Sequence, residues 1–290
     1  MEQLLQAQTN VYLADTSHNV GDVWLPVVDG DFLPAPPSDM ITTGRFNNIS
    51  VITGWCEDDT AIFLDPAPSS ATDVYDVFRG FLPGFSQGNL HGLLGLYPVT
   101  DFRTEPFANG TIKHDAQFYR AARILRDSGL TSQPFFSGRA LAKAGNNFYY
   151  YTQHQTILTP ILEDDGFYGL GVIHTSEVAY MFGNFSHYDI YDFHIEPTPA
   201  DYALQRRESR SWSSFAALGR LSIPGKNTLQ EWETADSDDQ NLGVYVIGGP
   251  DEGYAGPDGS DSARAVMLQE KLRERCAFLN SLEVIEQIGY

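Results

Sequence analysis

Three acidic residues in a row, Glu57-Asp58-Asp59, follow directly on the apolar run Ile49–Cys56 (ISVITGWC). If that run is a strand, these carboxylates stand at its carboxyl end, where open α/β sheets collect ligands and catalytic groups. A carboxylate there can hold a histidine in one tautomer and stabilise its imidazolium. From spacing alone, a solvated acidic turn at the start of a short helical stretch, Thr60–Leu64, accounts for the same residues more simply, because Asp is common ahead of helices. His174, within Gly171-Val-Ile-His-Thr-Ser-Glu-Val178, precedes an apolar helical turn. A loop histidine in that position can carry a proton at neutral pH. The competing reading is a histidine packed into a helix entry, and with seven histidines in the chain the chemistry alone does not single out this one.

Gly84-Phe-Ser-Gln-Gly88 matches G-x-S-x-G. A nucleophile elbow of that form needs a buried strand immediately before it and a helix immediately after. The preceding residues, Thr72–Leu82, have a helical pattern and Pro83 interrupts them. Ser86 therefore reads as a loop or helix-capping serine rather than a nucleophile. Gly248-Gly-Pro-Asp-Glu-Gly253 lacks dinucleotide and Walker spacing, Asp251–Asp261 fails the EF-hand pattern, and no Cys/His zinc spacing occurs. No cofactor and no metal are expected. Cys56 and Cys276 allow one disulfide or two buried thiols.

The elements that must position these residues alternate in type. Ile49–Cys56, Asn147–His154 and Leu242–Ile247 read as strands, apolar on both faces as in a helix-covered sheet. His114–Leu125 places Phe118, Ala121, Ala122 and Leu125 on one helical face. Ser262–Leu279 does so with Ala265, Leu268, Leu272, Cys276 and Leu279, capped by Ser260 or Asp261. Tyr202–Leu218 is a further helix, anchored by Trp212 and Phe215, and residues 1–47 read as irregular. Strands separated by long helical segments indicate an α/β fold. Three strands in 290 residues are few for a complete doubly wound sheet, which points to part of a larger domain.

The net charge of −20 opposes nucleic acid and anionic membrane surfaces as partners, and no segment is long and apolar enough for a membrane span. The opening residues MEQLLQAQTN have neither the basic nor the apolar region of a secretory signal, so the chain as encoded is expected to be cytoplasmic. Against that stand three N-glycosylation sequons, at Asn48, Asn109 and Asn184, which together hint at a secreted ancestor.

In sequence order, several segments resemble the type-B carboxylesterase family, which includes cholinesterases and fungal lipases. Pro26-Val-Val-Asp-Gly-Asp-Phe-Leu-Pro34 is similar to the family's P-V-x-D-G-x-F-x-P. Gly44-Arg-Phe46 and the run ISVITGW follow as they do there. Glu57-Asp58-Asp59-Thr60-Ala61-Ile62-Phe63 resembles x-D-E-G-(T/S)-x-F, and Gly171 to Gly183 resembles G-(A/V)-x-H-x-x-E-(I/L)-x-(Y/F)-(V/L)-F-G. Ser211-Trp-Ser-Ser-Phe215, Gly219 and Trp232 are similar to its W-x-x-F-x-x-x-G segment and later tryptophan. The resemblance implies the C-terminal portion of an α/β-hydrolase fold over residues 1–290, a partial, mostly parallel sheet with flanking helices. It implies hydrolysis of a small-molecule or lipid carboxylic ester by a Ser-His-acid triad, with His174 as the histidine and Asp59 as the acid. The family's acid is usually Glu followed by Gly, so the shorter Asp59 must gain its reach from the backbone. The serine elbow and oxyanion glycines belong to a missing N-terminal half, so the expectation is a fragment with little activity alone, the full-length relative being secreted. The alternative is a non-catalytic, cholinesterase-like binding module.

Overall fold

The computed structural model describes residues 1–15, 26–64, 67–189, 194–235 and 242–288. Its main sheet contains β1 (Val51–Cys56), β4 (Phe148–Gln153), β5 (Val244–Ile247) and a short edge strand β6 (Gly253–Tyr254), in the order β1-β4-β5-β6. The first three are parallel and β6 is antiparallel. A separate hairpin pairs β2 (Glu105–Pro106) with β3 (Ile112–His114). The helices are α1 (Glu2–Asp15), α2 (Pro37–Thr42), α3 (Ala71–Phe81), α4 (Gln87–Gly95), α5 (Ala116–Arg126), α6 (Ser132–Lys143), α7 (Thr159–Asp164), α8 (Val178–Phe182), α9 (Pro199–Leu218), α10 (Asp261–Gln269), α11 (Leu272–Leu279) and α12 (Leu282–Ile288).

The parallel strands are mostly apolar because helices cover both faces of the sheet. Alternate side chains enter different cores. Tyr149, Tyr245 and Ile247 join Phe78, Leu90, Phe118, Ile124, Tyr180 and Leu204 on one side. Phe148, Tyr150, Val244 and Val246 join Trp55, Phe135, Leu272 and Cys276 on the other. Gly54 is required in β1 because the Tyr151 ring on the neighbouring strand lies where a Cβ would stand.

Local chemistry sets the helix starts. Asp115 caps α5, accepting from Gln117 N at 2.8 Å and Phe118 N at 3.3 Å, so the helix begins after His114 and not at it. Its expected face, Phe118, Ala121, Ala122 and Leu125, is buried. Thr198 and Asp201 form a capping box that starts α9 three residues before the expected Tyr202.

Two expectations are corrected. Residues 1–47 are not wholly irregular: α1 and α2 lie there. The first is built from Gln, Leu and Ala, good helix formers without an apolar stripe, so periodicity does not reveal it. Ser262–Leu279 is not one helix. It breaks between α10 and α11, where Lys271 has φ 50°. Glu270 turns inward to pair with Arg123 Nη1 at 2.8 Å and with Arg126, and Arg275 Nη1 donates to Glu270 O at 2.8 Å.

Candidate functional site

β1 ends at Cys56, and the chain turns through Glu57–Thr60 with Asp59 N donating to Cys56 O at 3.3 Å and Ala61 N to Asp58 O at 2.9 Å. Thr60 Oγ1, buried, donates to Ala122 O of α5 at 2.6 Å and pins the turn to the helix layer. The loop before α8 lies against this turn through two backbone bonds, Asp58 N to Val172 O and His174 N to Asp59 O, both 3.0 Å. Gly171, at φ 75°, makes the approach feasible, since any Cβ there would collide with the Asp58 carboxylate. Thr175 follows His174 at φ 69°, an uncommon conformation for a β-branched residue, and it swings the chain into α8.

This docking sets His174 Nδ1 2.6 Å from Asp59 Oδ1. The other Asp59 oxygen accepts from Cys56 N at 2.9 Å, so the short carboxylate is fixed at both ends. An ionised carboxylate only accepts, which places the shared proton on Nδ1 and leaves Nε2 with its lone pair while the ring is neutral. The Asp59 side chain is 6% exposed and that of His174 47%, an arrangement with a buried orienting acid behind an accessible ring. Phe63 packs on the imidazole with centroids 5.6 Å apart. The His174 pKa lies above the usual histidine value, first because of the hydrogen bond to Asp59. Partial burial opposes this, and the charges of Asp59 and Glu177 add to it.

The three consecutive acids thus go to three different partners. Asp58 is buried and receives Arg103 Nη2 at 2.9 Å, while Arg103 lies 3.9 Å over the Tyr119 ring. Glu57 faces His154 Nδ1 at 3.7 Å and is raised by burial, with His154 acting in the opposite direction. A cavity of about 200 Å³ on this flank is lined by the charged Glu57, Asp58, Arg103, Arg123 and Arg275 together with Phe102, Tyr119 and Val266. Sequence reading missed Arg103 and the Cys56–Glu177 contact. Cys56 Sγ donates to Glu177 Oε2 at 3.2 Å, and burial, then the charges of Glu177 and Asp59, push this thiol's pKa up. No sequence signal links residues 121 positions apart in the chain.

Ser86 is placed elsewhere. It is the N-cap of α4, its Oγ accepting from Asn89 N at 3.1 Å and its N–H donating to Gln287 Oε1 at 2.9 Å. A turn at Pro83–Gly84, not a buried strand, precedes it. Glu252 in the glycine-rich segment accepts from Arg207 Nη2 at 2.8 Å and Gly248 N at 3.2 Å. Ser260 caps α10. Cys56 and Cys276 are both free and buried. Asn48, Asn109 and Asn184 are exposed. Among the described residues no group of three or more His, Cys, Asp or Glu converges as metal ligands, and no helix is long and apolar enough to cross a membrane.

The fold is that of an α/β-hydrolase in part: the crystal structure of Aspergillus niger EstA superposes with a TM-score of 0.63 at 20% identity, over 87% of this chain and 45% of that one. The carboxylesterase family model matches residues 1–252, and the chain belongs to that family. A secreted lipase of Arthroderma benhamiae is 38% identical over all of this chain and 49% of its own length. The inactive carboxylesterase-like protein VdtD of Byssochlamys spectabilis is 29% identical over 98% of this chain and 48% of its own. The chain spans about half the length of these relatives.

Proposed function

We propose that His174 and Asp59 are the base and the acid of a Ser-His-acid triad that hydrolyses carboxylic esters. Residues 1–290 then form the C-terminal part of the hydrolase domain, and the serine and the oxyanion donors belong to an N-terminal part outside this sequence. The observation that carries this reading is the 2.6 Å contact between an accessible histidine and a buried carboxylate at the carboxyl end of a parallel strand. A serine hydroxyl held at His174 Nε2 gives up its proton as its oxygen attacks the ester carbonyl. The imidazolium, held by Asp59, returns that proton to the leaving alkoxide, and water repeats the sequence to free the acid. Backbone N–H groups hold the developing oxyanion. The substrate is a small-molecule or lipid ester. The relative described as a secreted lipase and the exposed asparagines of all three sequons support a secreted glycoprotein.

The test is reconstitution. The polypeptide encoded upstream of Met1 is co-expressed with this chain, and serine labelling by a fluorophosphonate is followed. Labelling of an upstream G-x-S-x-G serine, abolished by His174→Ala, is expected. Absence of such a serine, or labelling indifferent to His174, refutes the triad. A second reading, a non-catalytic interaction module, draws on the relative described as inactive. It predicts a stable complex that never labels.

A further inference from the structure

Three residues along one stripe of α5 reach the two segments that make up the candidate site. Tyr119, Ala122 and Arg126 stand at i, i+3 and i+7, so they share a helix face. Tyr119 Oη lies 2.6 Å from Gly169 O, in the loop that leads to His174, and 2.9 Å from Glu105 Oε2. Ala122 O accepts from Thr60 Oγ1 at 2.6 Å. Arg126 Nη1 donates to Glu57 O at 3.0 Å. All three residues are buried. The helix is a firm base for them, since Asp115 caps its start and Phe118, Ala121, Ile124 and Leu125 lie in the core.

The two bonds to the acidic turn bracket Asp59. Glu57 O is held ahead of the acid, and the buried Thr60 hydroxyl is tied down immediately after it. Thr60 also leads into the single helical turn Ala61–Phe63, where Phe63 N donates to Thr60 O at 3.1 Å. The Phe63 ring packs on the imidazole of His174. Two groups that bear on that imidazole, the Asp59 carboxylate and the Phe63 ring, thus stand on either side of Thr60. The Asp59 side chain has no slack to absorb a shift of the turn. Its Oδ2 accepts from Cys56 N at 2.9 Å and its Oδ1 meets His174 Nδ1 at 2.6 Å. Cys56 is three residues away in the chain and His174 is 115. A displaced turn therefore strains the second bond first, and catalytic geometry tolerates only about 0.5 Å.

We propose that α5 is a splint for the His174–Asp59 pair and that Thr60 is a positioning residue, its hydroxyl on Ala122 O setting the reach of Asp59 to the imidazole. Thr60 acts through Asp59 and touches no reacting atom. Of the three ties it is the one that can be cut cleanly. Arg126 carries a buried charge shared with Asp127 and Glu270, and Tyr119 lies under the Arg103 guanidinium, so replacing either disturbs ion pairs as well. Thr60 contributes one neutral bond, and valine keeps its branched shape without the donor. The role in catalysis rests on the triad reading above, whereas the role in holding the His174–Asp59 contact does not.

The test compares Thr60→Val, Thr60→Ala and Thr60→Ser by NMR on the purified chain. Two signals of His174 are read: the pH titration of its ring protons and the downfield resonance of the Nδ1 proton shared with Asp59. In Thr60→Val and Thr60→Ala the titration should move to lower pH, since the Asp59 bond is the first cause that raises it. The downfield resonance should move upfield or exchange away. Thr60→Ser keeps the hydroxyl and should give both signals as in wild type. In a hydrolase reconstituted with the upstream polypeptide, Thr60→Val should lower kcat for p-nitrophenyl butyrate by up to about 10²-fold with KM unchanged, and Thr60→Ser should not. Wild-type His174 signals in either hydroxyl-free variant, or altered signals in the serine variant, overturn the proposal. So does a chain that folds only with a hydroxyl at position 60, since Thr60 then serves the fold and not the site. Failure to label any upstream serine refutes the triad and leaves the NMR outcomes to decide the splint.

Discussion

Asp59 reaches His174 with a side chain one methylene shorter than glutamate because the backbone does part of the work. The bonds Asp58 N to Val172 O and His174 N to Asp59 O draw the two segments together before any side chain is placed. The motif at Glu57–Thr60 was visible in the sequence, as was His174, but three adjacent carboxylates with different partners were not separable by type. Tertiary neighbours separate them: Arg103 takes Asp58, His154 faces Glu57, and Asp59 is left for the imidazole. Since the Asp59 hydrogen bond is the first cause of the raised His174 pKa, Asp59→Asn should lower it, as an NMR titration of the ring protons would show. The sign for stability follows. A histidine with a raised folded pKa stabilises the fold fully below its unfolded pKa and loses that contribution as pH rises through the folded one. In a reconstituted hydrolase the same substitution should lower kcat by roughly 10⁴-fold, since the asparagine amide would hold the wrong tautomer.

At the scale of elements, the clearest signals were continuous apolar runs and helical stripes. They placed β1, β4 and β5 and the buried face of α5, because in each case the local pattern and the tertiary burial agree. The break between α10 and α11 had no such signal. Its cause is a buried ion network drawn from distant segments: Arg126, fully buried, donates to Asp127 Oδ1 at 2.7 Å and to Glu57 O at 3.0 Å, and pairs with Glu270. The network ties the end of β1 to α5 and to the α10–α11 corner. Its arginines hold the Glu270 pKa down at about 2 against the effect of burial. A depressed carboxyl stabilises the fold above its unfolded pKa and loses that contribution as pH falls through the folded one. Acid unfolding followed by circular dichroism should therefore show a component between the ordinary glutamate range and about pH 2. Glu270→Gln should remove that component and cost roughly 3–5 kcal/mol at neutral pH, because Arg123 and Arg126 lose their buried partner.

Among the described residues the sheet is open on one side. There β1 pairs only with β4, and Val51 N and Glu57 N donate to Asn147 O and Gln153 O. Alternate residues therefore aim their backbone groups the other way. Of these, Cys56 N is taken by Asp59, while Ile52 and Gly54 face the edge. Ile49, Ile62 and Phe63 are exposed near this strand. A long apolar edge invites another strand, in keeping with a chain that spans about half the length of its relatives. Ile49→Lys, at the exposed residue just ahead of this strand, should weaken association with the proposed N-terminal polypeptide, or self-association in its absence, in size-exclusion chromatography. The helices and His174–Asp59 contact should be retained by circular dichroism and NMR.

What residue order determined by itself was the family, the α/β class, the three parallel strands and the pair of segments holding Asp59 and His174. These are local patterns or short motifs, and a strand apolar on both faces carries its own burial in its composition. Tertiary structure alone decided that Arg103 takes Asp58, that Glu177 holds Cys56, which residue Ser86 packs against, and where the last long helix breaks. Each of these depends on a partner tens to hundreds of residues away. Side-chain type and spacing say what a residue can bond to, and only the packed chain says what lies within 3 Å of it.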